Sequence, residues 1–338
     1  MKLMLLCAGE GLRLRPYTDI LPKPCIPFLN LPLALWSVRL VNELNISQII
    51  YNTYHLPQAM STLINTYKSH LPQTNEVPDG AKLLGGGGGL FNCRKHFLDE
   101  ENFVVANGDS VLLTRHLGQI SRAFKEHQQN ELLATLICVR HPGAGVQFGA
   151  VWADDTNTVL GFGKEAPTGN PTPWHFTGYM ILNRKIFSFL HEGESNLLYD
   201  ALAAAIRKMG DCARVYDVDG IWFETGNWSD FAAGTRHAIT EMVRDPRIHD
   251  QVSEACAAFG LDSQFITTTS ANDGTLSWVS KNAQINESVL VGYNAIGNSA
   301  IRNSTIESSV VGHSLIVDHC KLRNQMVLQT TARKQKLD

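Results

Sequence analysis

The residues best suited to chemistry stand in one short stretch near the start of the chain. An apolar run, Leu3-Met4-Leu5-Leu6, ends at Cys7-Ala8 and passes into a loop with Gly9, Gly11, Arg13 and Arg15, then Lys23 held between Pro22 and Pro24. Glycines let the main chain approach an anion closely, and amide groups in such a loop donate to phosphate oxygens. Arg13, Arg15 and Lys23 add positive charge, so the stretch reads as a phosphate site. Two known nucleotide loops are excluded. The dinucleotide fingerprint needs a third glycine where this chain has Leu14, and a P-loop needs a Gly-Lys-Ser/Thr that does not follow.

The elements around the loop must position it. Leu3–Leu6 reads as a strand, Leu33 to Leu44 as a helix by its apolar spacing, and Gln48 to Asn52 as a second strand. The alternation continues with a helix over Gln58 to Tyr67, a glycine run Gly85 to Gly89 leading into a short helix near Leu90 to His96, and a strand Phe103 to Ala106. Helix Arg115 to His127 and the apolar strand Leu132 to Val139 follow. This pattern predicts an α/β fold with a Rossmann-like, mostly parallel mixed sheet and helices on both faces. Ligands bind such sheets beyond the carboxyl ends of the strands, where the Gly9 loop and Asn107-Gly108-Asp109 fall. From His141 to Asn183 short β-type pieces separated by Gly, Pro, Asn and Asp predict hairpins walling a cleft.

At 338 residues the chain exceeds one core of roughly 200 to 250 residues, so a second, smaller domain is expected. The boundaries are read as 1–243, a linker with a helix at 244–275 including the polar stretch Thr267 to Asp273, and 276–328. In the last segment Val279, Ile285, Val291, Ile296, Ile301, Ile306, Val311, Val317 and Leu322 recur every five or six residues. That spacing fits neither helix nor plain strand and predicts a hexapeptide-type β-helix of about 18 residues per coil, roughly three coils in all.

The formal charge of −3 argues against nucleic acid or an anionic membrane as the main partner. The seven cysteines form no C-x-x-C pair, which disfavours a disulfide framework or a zinc site and fits a reducing, cytoplasmic setting. No leader or run of 18 apolar residues is read, so neither export nor a membrane span is expected.

The longer string G-x-G-x-R-L-R-P-x-T, followed by P-K-P-x-x-P, resembles the signature of the sugar-phosphate nucleotidylyltransferases, also called NDP-sugar pyrophosphorylases. The branch containing mannose-1-phosphate guanylyltransferases and a muramate-phosphate uridylyltransferase is the nearest in pattern. The resemblance extends through Leu84 to Leu90, Asn107-Gly108-Asp109, Phe176-Thr177-Gly178-Tyr179 and Trp222-Phe223-Glu224-Thr225-Gly226, and many members carry a C-terminal left-handed β-helix. It implies a transferase that joins a nucleoside triphosphate to a sugar 1-phosphate, giving an NDP-sugar, of GDP-mannose type, and pyrophosphate. Such in-line phosphoryl chemistry needs alignment and charge neutralisation above all. Arg13 would hold the leaving phosphates, Lys23 the reacting one, and Ala8, Gly9 and Gly11 would cradle the nucleotide with Gly85, Gly86 and Gly87. Asp109 and Glu224 would hold Mg²⁺, with Lys164, Glu165, Thr177 and Gly178 at the sugar phosphate, and the β-helix would make a homo-oligomer. His175 reads as packing.

Three positions depart from the family pattern. Leu12 replaces a small hydroxyl residue, Gly86 a threonine and Glu224 an aspartate, while Lys164-Glu165 reverses the usual Glu-Lys order. The added methylene of Glu224 keeps open a second reading, a non-catalytic nucleotide-sugar-binding regulatory subunit. Acyl transfer on the β-helix, with His313 and His319, is set aside because three coils offer little groove.

Overall fold

The computed structural model describes residues 1–267 and 276–329; beyond Thr267, the expected polar connection to Asp273 lies outside the described residues. The chain divides into two compact units, Met1–Gly9 with Ser37–Trp222, and Glu10–Trp36 with Phe223–Asp338. This partition differs from the expected boundaries. The phosphate loop, read above as part of the sheet domain, belongs from Glu10 onward to the unit that contains the C-terminal coil.

In the first unit a mixed sheet runs in the order Gln73–Pro78, Gln48–Thr53, Lys2–Leu6, Asn102–Asn107, Thr172–Asn183, Ala134–Val139, Ala213–Asp217. The first four strands are parallel, Thr172–Asn183 opposes both its neighbours, and Ala213–Asp217 is parallel to Ala134–Val139. Leu3, Met4 and Leu5 are all fully buried, so both faces of that strand are covered, as its unbroken apolar run requires. The start of Thr172–Asn183 pairs with Ala150–Ala153, which pairs in turn with Val159–Gly163, giving the expected hairpins. Gln73–Pro78 has no apolar signature in the sequence because it is an edge strand, mostly half-buried or exposed and ending in a proline. The glycine run is not a lead-in to a helix but the helix itself, Gly85–Asn92.

In the second unit helices Trp228–Arg244 and Pro246–Ala257 precede strand Ser263–Thr267, which pairs antiparallel with Leu276–Ser280. From Leu276 the chain winds through short parallel strands on three faces, the arrangement of a β-helix. Ile285 lies opposite Ile301 and Ile301 opposite Val317, a step of 16 residues where about 18 was expected. The corners are tighter than a hexapeptide coil needs: Glu287, Asn303, Ser308, His319 and Asn324 all adopt positive φ and turn the chain within one residue. The interior is filled by Val279, Leu290, Ile296, Ile301, Ile306, Val311, Val317, Leu322 and Val327. Leu290 thus takes the inward place assigned above to Val291.

One face of this coil is covered on the outside as well. Ala295, Val310 and Met326 alternate with the interior residues yet are 0%, 3% and 4% exposed. Part of the cover is the hairpin Pro27–Phe28 and Leu31–Pro32, whose tip residues Leu29 and Asn30 adopt positive φ. Trp278 Nε1 donates to the Leu29 carbonyl at 3.2 Å and His313 Nε2 to that of Asn30 at 2.6 Å. Among the described residues no helix is long and apolar enough to cross a membrane. None of the described cysteines forms a disulfide, and burial pushes the thiols of Cys25, Cys93 and Cys256 up to about 12.

Candidate functional site

In the first unit the carboxyl ends of three parallel strands lie level, Leu6 opposite both Asn52 and Asn107. Gly108 N donates to the Leu6 carbonyl at 2.8 Å, which fixes the Asn107-Gly108-Asp109 turn beside the departure of Cys7-Ala8-Gly9 from the sheet. Around Gly9 the space is open, with no atom within 4 Å of where a Cβ would stand. The turn is held from beneath: the Ser37 hydroxyl donates to the Asn107 carbonyl at 2.6 Å, and the Tyr179 hydroxyl to that of Ser110 at 2.8 Å. Gly178, at φ +92, lies so close that a Cβ would strike the Ser110 side chain. Its lack of a side chain lets the Asp109 turn seat against the strand.

A buried polar chain joins the start of the phosphate loop to the glycine helix. Cys7 N donates to Asn52 Oδ1 at 2.9 Å, Asn52 Nδ2 to Asp79 Oδ1 at 2.9 Å, and Leu84 N, at the head of the helix, to Asp79 Oδ2 at 3.0 Å. Burial pushes the Asp79 carboxyl up, and the bonds from Asn52 and Leu84 pull the other way. Neither Asn52 nor Asp79 was singled out in the sequence; an asparagine ending a strand and an Asp-Gly pair carry only the ordinary signal of a turn.

The five glycines of the helix have distinct tasks. Gly87 N and Gly88 N both donate to the Ser195 carbonyl, at 2.9 and 3.4 Å, and Ser195 N donates to that of Leu84 at 3.0 Å. A Cβ on Gly85 would stand 2.7 Å from the Ser195 carbonyl oxygen, one on Gly87 2.6 Å from the Ser195 hydroxyl, and one on Gly88 would overlap the Gly193 carbonyl. At Gly86 the nearest atoms are Leu6 Cδ1 at 3.6 Å and Leu197 Cβ at 3.7 Å, ordinary contact. The run is thus a close-packing surface for the 193–196 segment, and Gly86 alone among Gly85 to Gly88 has room for a side chain.

Of the other first-unit candidates, Lys164 and Glu165 are exposed in the turn after Val159–Gly163. Thr177 is fully buried and its hydroxyl donates to the Ile137 carbonyl at 2.7 Å. His175 is 6% exposed. Its ring centroid lies 4.0 Å from that of Trp222, 5.0 Å from Phe148 and 5.3 Å from His141. Burial, helped by His141, pushes its pKa down to about 4, so it is a neutral packed ring near pH 7.

In the second unit Gly11 adopts positive φ, and a Cβ there would meet Thr18 Cγ2 at 2.8 Å and Lys23 Cβ at 3.3 Å. The Thr18 hydroxyl donates to the Gly11 carbonyl at 3.0 Å, closing the loop on itself. Lys23, 8% exposed, sits in a single turn of 3-10 helix entered through Pro22. Arg15 pairs with Asp19 at 3.1 Å on the surface, while Arg13, also exposed, reaches back to Gly226. Leu12 is 55% exposed. Arg13 and Glu224, far apart in sequence, converge on Gly226: a Cβ there would lie 2.5 Å from Glu224 Oε1 and 2.6 Å from a terminal nitrogen of Arg13. Glu224 Oε1 accepts from Gly226 N at 2.5 Å. The carboxylate is thus folded back onto its own chain through Oε1.

In the first unit, a level row of parallel strand ends with a glycine-lined turn beside them is the place where sheets of this kind take ligands. Residues 2–241 match the family model for nucleotidyl transferase, and the chain belongs to that family. It is 26% identical over 263 residues to a UTP–glucose-1-phosphate uridylyltransferase of Synechocystis, a match covering 73% of this chain and 66% of that protein. With a mannose-1-phosphate guanylyltransferase of Mycobacterium tuberculosis it shares 27% identity over 252 residues, covering 74% and 68%. The chain thus spans about two thirds of the length of these relatives. Among solved structures, a UDP-glucose pyrophosphorylase complexed with UDP-glucose aligns with a TM-score of 0.59 at 17% identity, covering 71% of this chain and 98% of that one. The inositol-1-phosphate CTP transferase of T. maritima aligns at 0.58 and 16%, covering 75% and 96%. These structures share the fold of the matched region.

Proposed function

We propose that this protein transfers a nucleotidyl group from a nucleoside triphosphate to a sugar 1-phosphate, releasing pyrophosphate, with GTP and mannose 1-phosphate as the first pair to test. The observation that carries the reading is the convergence of Arg13 and Glu224 on Gly226, a phosphate-binding cation and a carboxylate held against one glycine. The phosphate oxygen of the sugar 1-phosphate attacks the α-phosphorus, and the bond from that phosphorus to the bridging oxygen of pyrophosphate breaks. Arg13 binds the departing β- and γ-phosphates, Lys23 offsets charge at the α-phosphate, and the main chain at Ala8, Gly9 and Gly11 takes the remaining phosphate oxygens. The nucleotide lies along the half-buried Gly85 and Gly86, with Gly87 buried against Ser195 beneath them, and the sugar phosphate reaches Lys164, Glu165 and the Thr177-Gly178 main chain.

Asp109 and Glu224 offer hard oxygen donors of the kind Mg²⁺ takes, one or two carboxylates completed by water and substrate phosphates. Bound there, the ion neutralises phosphate charge. Glu224 fits this role with the oxygen not used on Gly226.

Pyrophosphate release measured over a panel of nucleoside triphosphates and sugar 1-phosphates tests the reading, and absence of turnover with every pair would overturn it. Asp109→Asn is expected to lower turnover by at least about a hundredfold through lost metal positioning; an unchanged rate refutes that assignment. A second reading, a regulatory subunit that binds a nucleotide sugar without turning it over, is favoured by the fold-back of Glu224 onto Gly226. Calorimetry with tight NDP-sugar binding and no turnover would establish it instead. Self-association through the β-helix belongs to either reading and is tested by sedimentation.

A further inference from the structure

We propose that the last rung of the β-helix positions the phosphate loop, through Tyr17 and Trp228 acting as positioning residues. The inference rests on the nucleotidyl-transfer reading for its consequence in turnover, but its structural part stands apart from it. Trp228 Nε1 donates to the Asn324 carbonyl at 2.9 Å, and Met326 N donates to the Tyr17 hydroxyl at 3.4 Å. The two rings meet at a centroid distance of 5.7 Å, so indole and phenol form one joint on that rung. Asn324 and Met326 offer main-chain groups that the two side chains take up, the carbonyl of exposed Asn324 and the amide of buried Met326.

Each ring is a short lever arm from the chemistry. Tyr17 precedes Thr18, whose hydroxyl holds the Gly11 carbonyl at 3.0 Å and whose methyl borders Gly11 where Lys23 also packs. Trp228 follows Gly226 by two residues, and Gly226 is the point where Arg13 and Glu224 converge. Between them Asn227 caps the helix that begins at Trp228, its side chain accepting from Asp230 N at 3.1 Å, so the indole is fixed to the Glu224-Thr225-Gly226 turn without slack. The upper rungs anchor the same loop further on, Trp278 at Leu29 and His313 at Asn30. The rung at Asn324 to Met326 holds the end that carries Arg13. A coil with covered strands and filled interior is a rigid support, and catalytic groups held by such supports keep the geometry that alignment-dependent transfer needs.

The test uses the protein with Tyr17→Phe, which removes only the hydroxyl, Trp228→Phe, which keeps an aromatic ring but removes the N–H and part of the indole, and the double substitution. Ile316→Ser, on another face of the coil and 49% exposed, serves as control. Amide hydrogen exchange over residues 11–26 without substrate is the first readout: faster exchange in the three variants, at a melting temperature close to that of the parent, is expected. In the same variants turnover is expected to fall about tenfold, while KM for the sugar 1-phosphate stays unchanged, because a misplaced loop costs transition-state alignment. Exchange over 11–26 equal to that of the parent in Trp228→Phe and the double variant would overturn the proposal. Should the parent show no turnover, the functional reading falls while the exchange result still decides the positioning.

Discussion

The glycine helix gives the sharpest test of packing. Gly86→Ala and Gly88→Ala make the same chemical change two residues apart in Gly85–Asn92, and the same helix propensity argument predicts a gain of about 1 kcal/mol for each. Space separates them. At Gly86 the new methyl meets Leu6 and Leu197 at 3.6 and 3.7 Å, so the propensity gain survives and the melting temperature rises by roughly 2–4 °C. At Gly88 the methyl overlaps the Gly193 carbonyl, with the carbonyl carbon 3.1 Å away, and both partners are backbone. Forced overpacking costs about 1–3 kcal/mol, here toward the upper end because no rotamer can move aside, so the net change is a loss of about 2 kcal/mol. Differential scanning calorimetry of both variants measures the difference directly. Equal shifts of the same sign would refute the claim that the 193–196 segment, and not the helix, sets the requirement for glycine.

Glu224→Gln keeps an oxygen to accept from Gly226 N but removes the carboxylate charge; it is expected to leave thermal stability unchanged while lowering turnover at least about tenfold and weakening Mg²⁺ dependence. Turnover at the parent rate would place Glu224 outside metal binding. His127, 1% exposed and bonded to Thr135 Oγ1 at 3.0 Å and Asn102 Oδ1 at 3.1 Å, has its pKa pushed by burial from 6.5 down to about 4. The unfolded chain therefore takes up the proton first as pH falls, so the stability associated with the neutral ring is intact above 6.5 and is lost progressively toward pH 4. The loss reaches at most about 3 kcal/mol for this one group. His175, also near 4, adds to the same window. Urea denaturation at pH 7.5 and 4.5 measures the sum, and His127→Gln flattens its own part; an unchanged slope would show that the ring is charged in the native state. Asp79→Asn is expected to destabilise by about 1–3 kcal/mol, because the amide must set a donor against either Asn52 Nδ2 or Leu84 N. Melting at the parent temperature would show that this buried chain tolerates a break.

Much of this architecture was legible where burial writes itself into the sequence. Leu3–Leu6 and Phe103 to Ala106 are unbroken apolar runs, and Leu132 to Val139 is apolar but for the buried Thr135, because both faces of the sheet are covered; each lies within or overlaps a strand. The coil was legible for the same reason, since every corner forces an aliphatic residue inward at a regular interval. Its interval was misjudged by about two residues because the sequence does not mark which Asn, Ser, Glu or His will take positive φ and shorten a corner. Gln73–Pro78 was illegible because an exposed edge strand has no face to hide.

The candidate site divides in the same way. Gly9, Gly11, Arg13, Lys23 and Asp109 announce themselves by type and spacing, whereas Asn52, Asp79 and Ser195 act through single hydrogen bonds to main-chain atoms or to each other, and such bonds impose no periodicity. The fate of Glu224 shows why residue type alone misleads. Comparing an aspartate with a glutamate suggests that the carboxylate must overshoot or the backbone retreat. The fold-back onto Gly226 N supplies a third outcome, in which the side chain curls back and keeps one oxygen near the main chain. Gly226 supplies the N–H that the carboxylate accepts from, and its missing Cβ leaves room for the ends of both Glu224 and Arg13. A Cβ at Gly226 would stand 2.5 Å from Glu224 Oε1 and 2.6 Å from a terminal nitrogen of Arg13, so Gly226→Ala is expected to displace the ends of both side chains together while leaving the backbone in place.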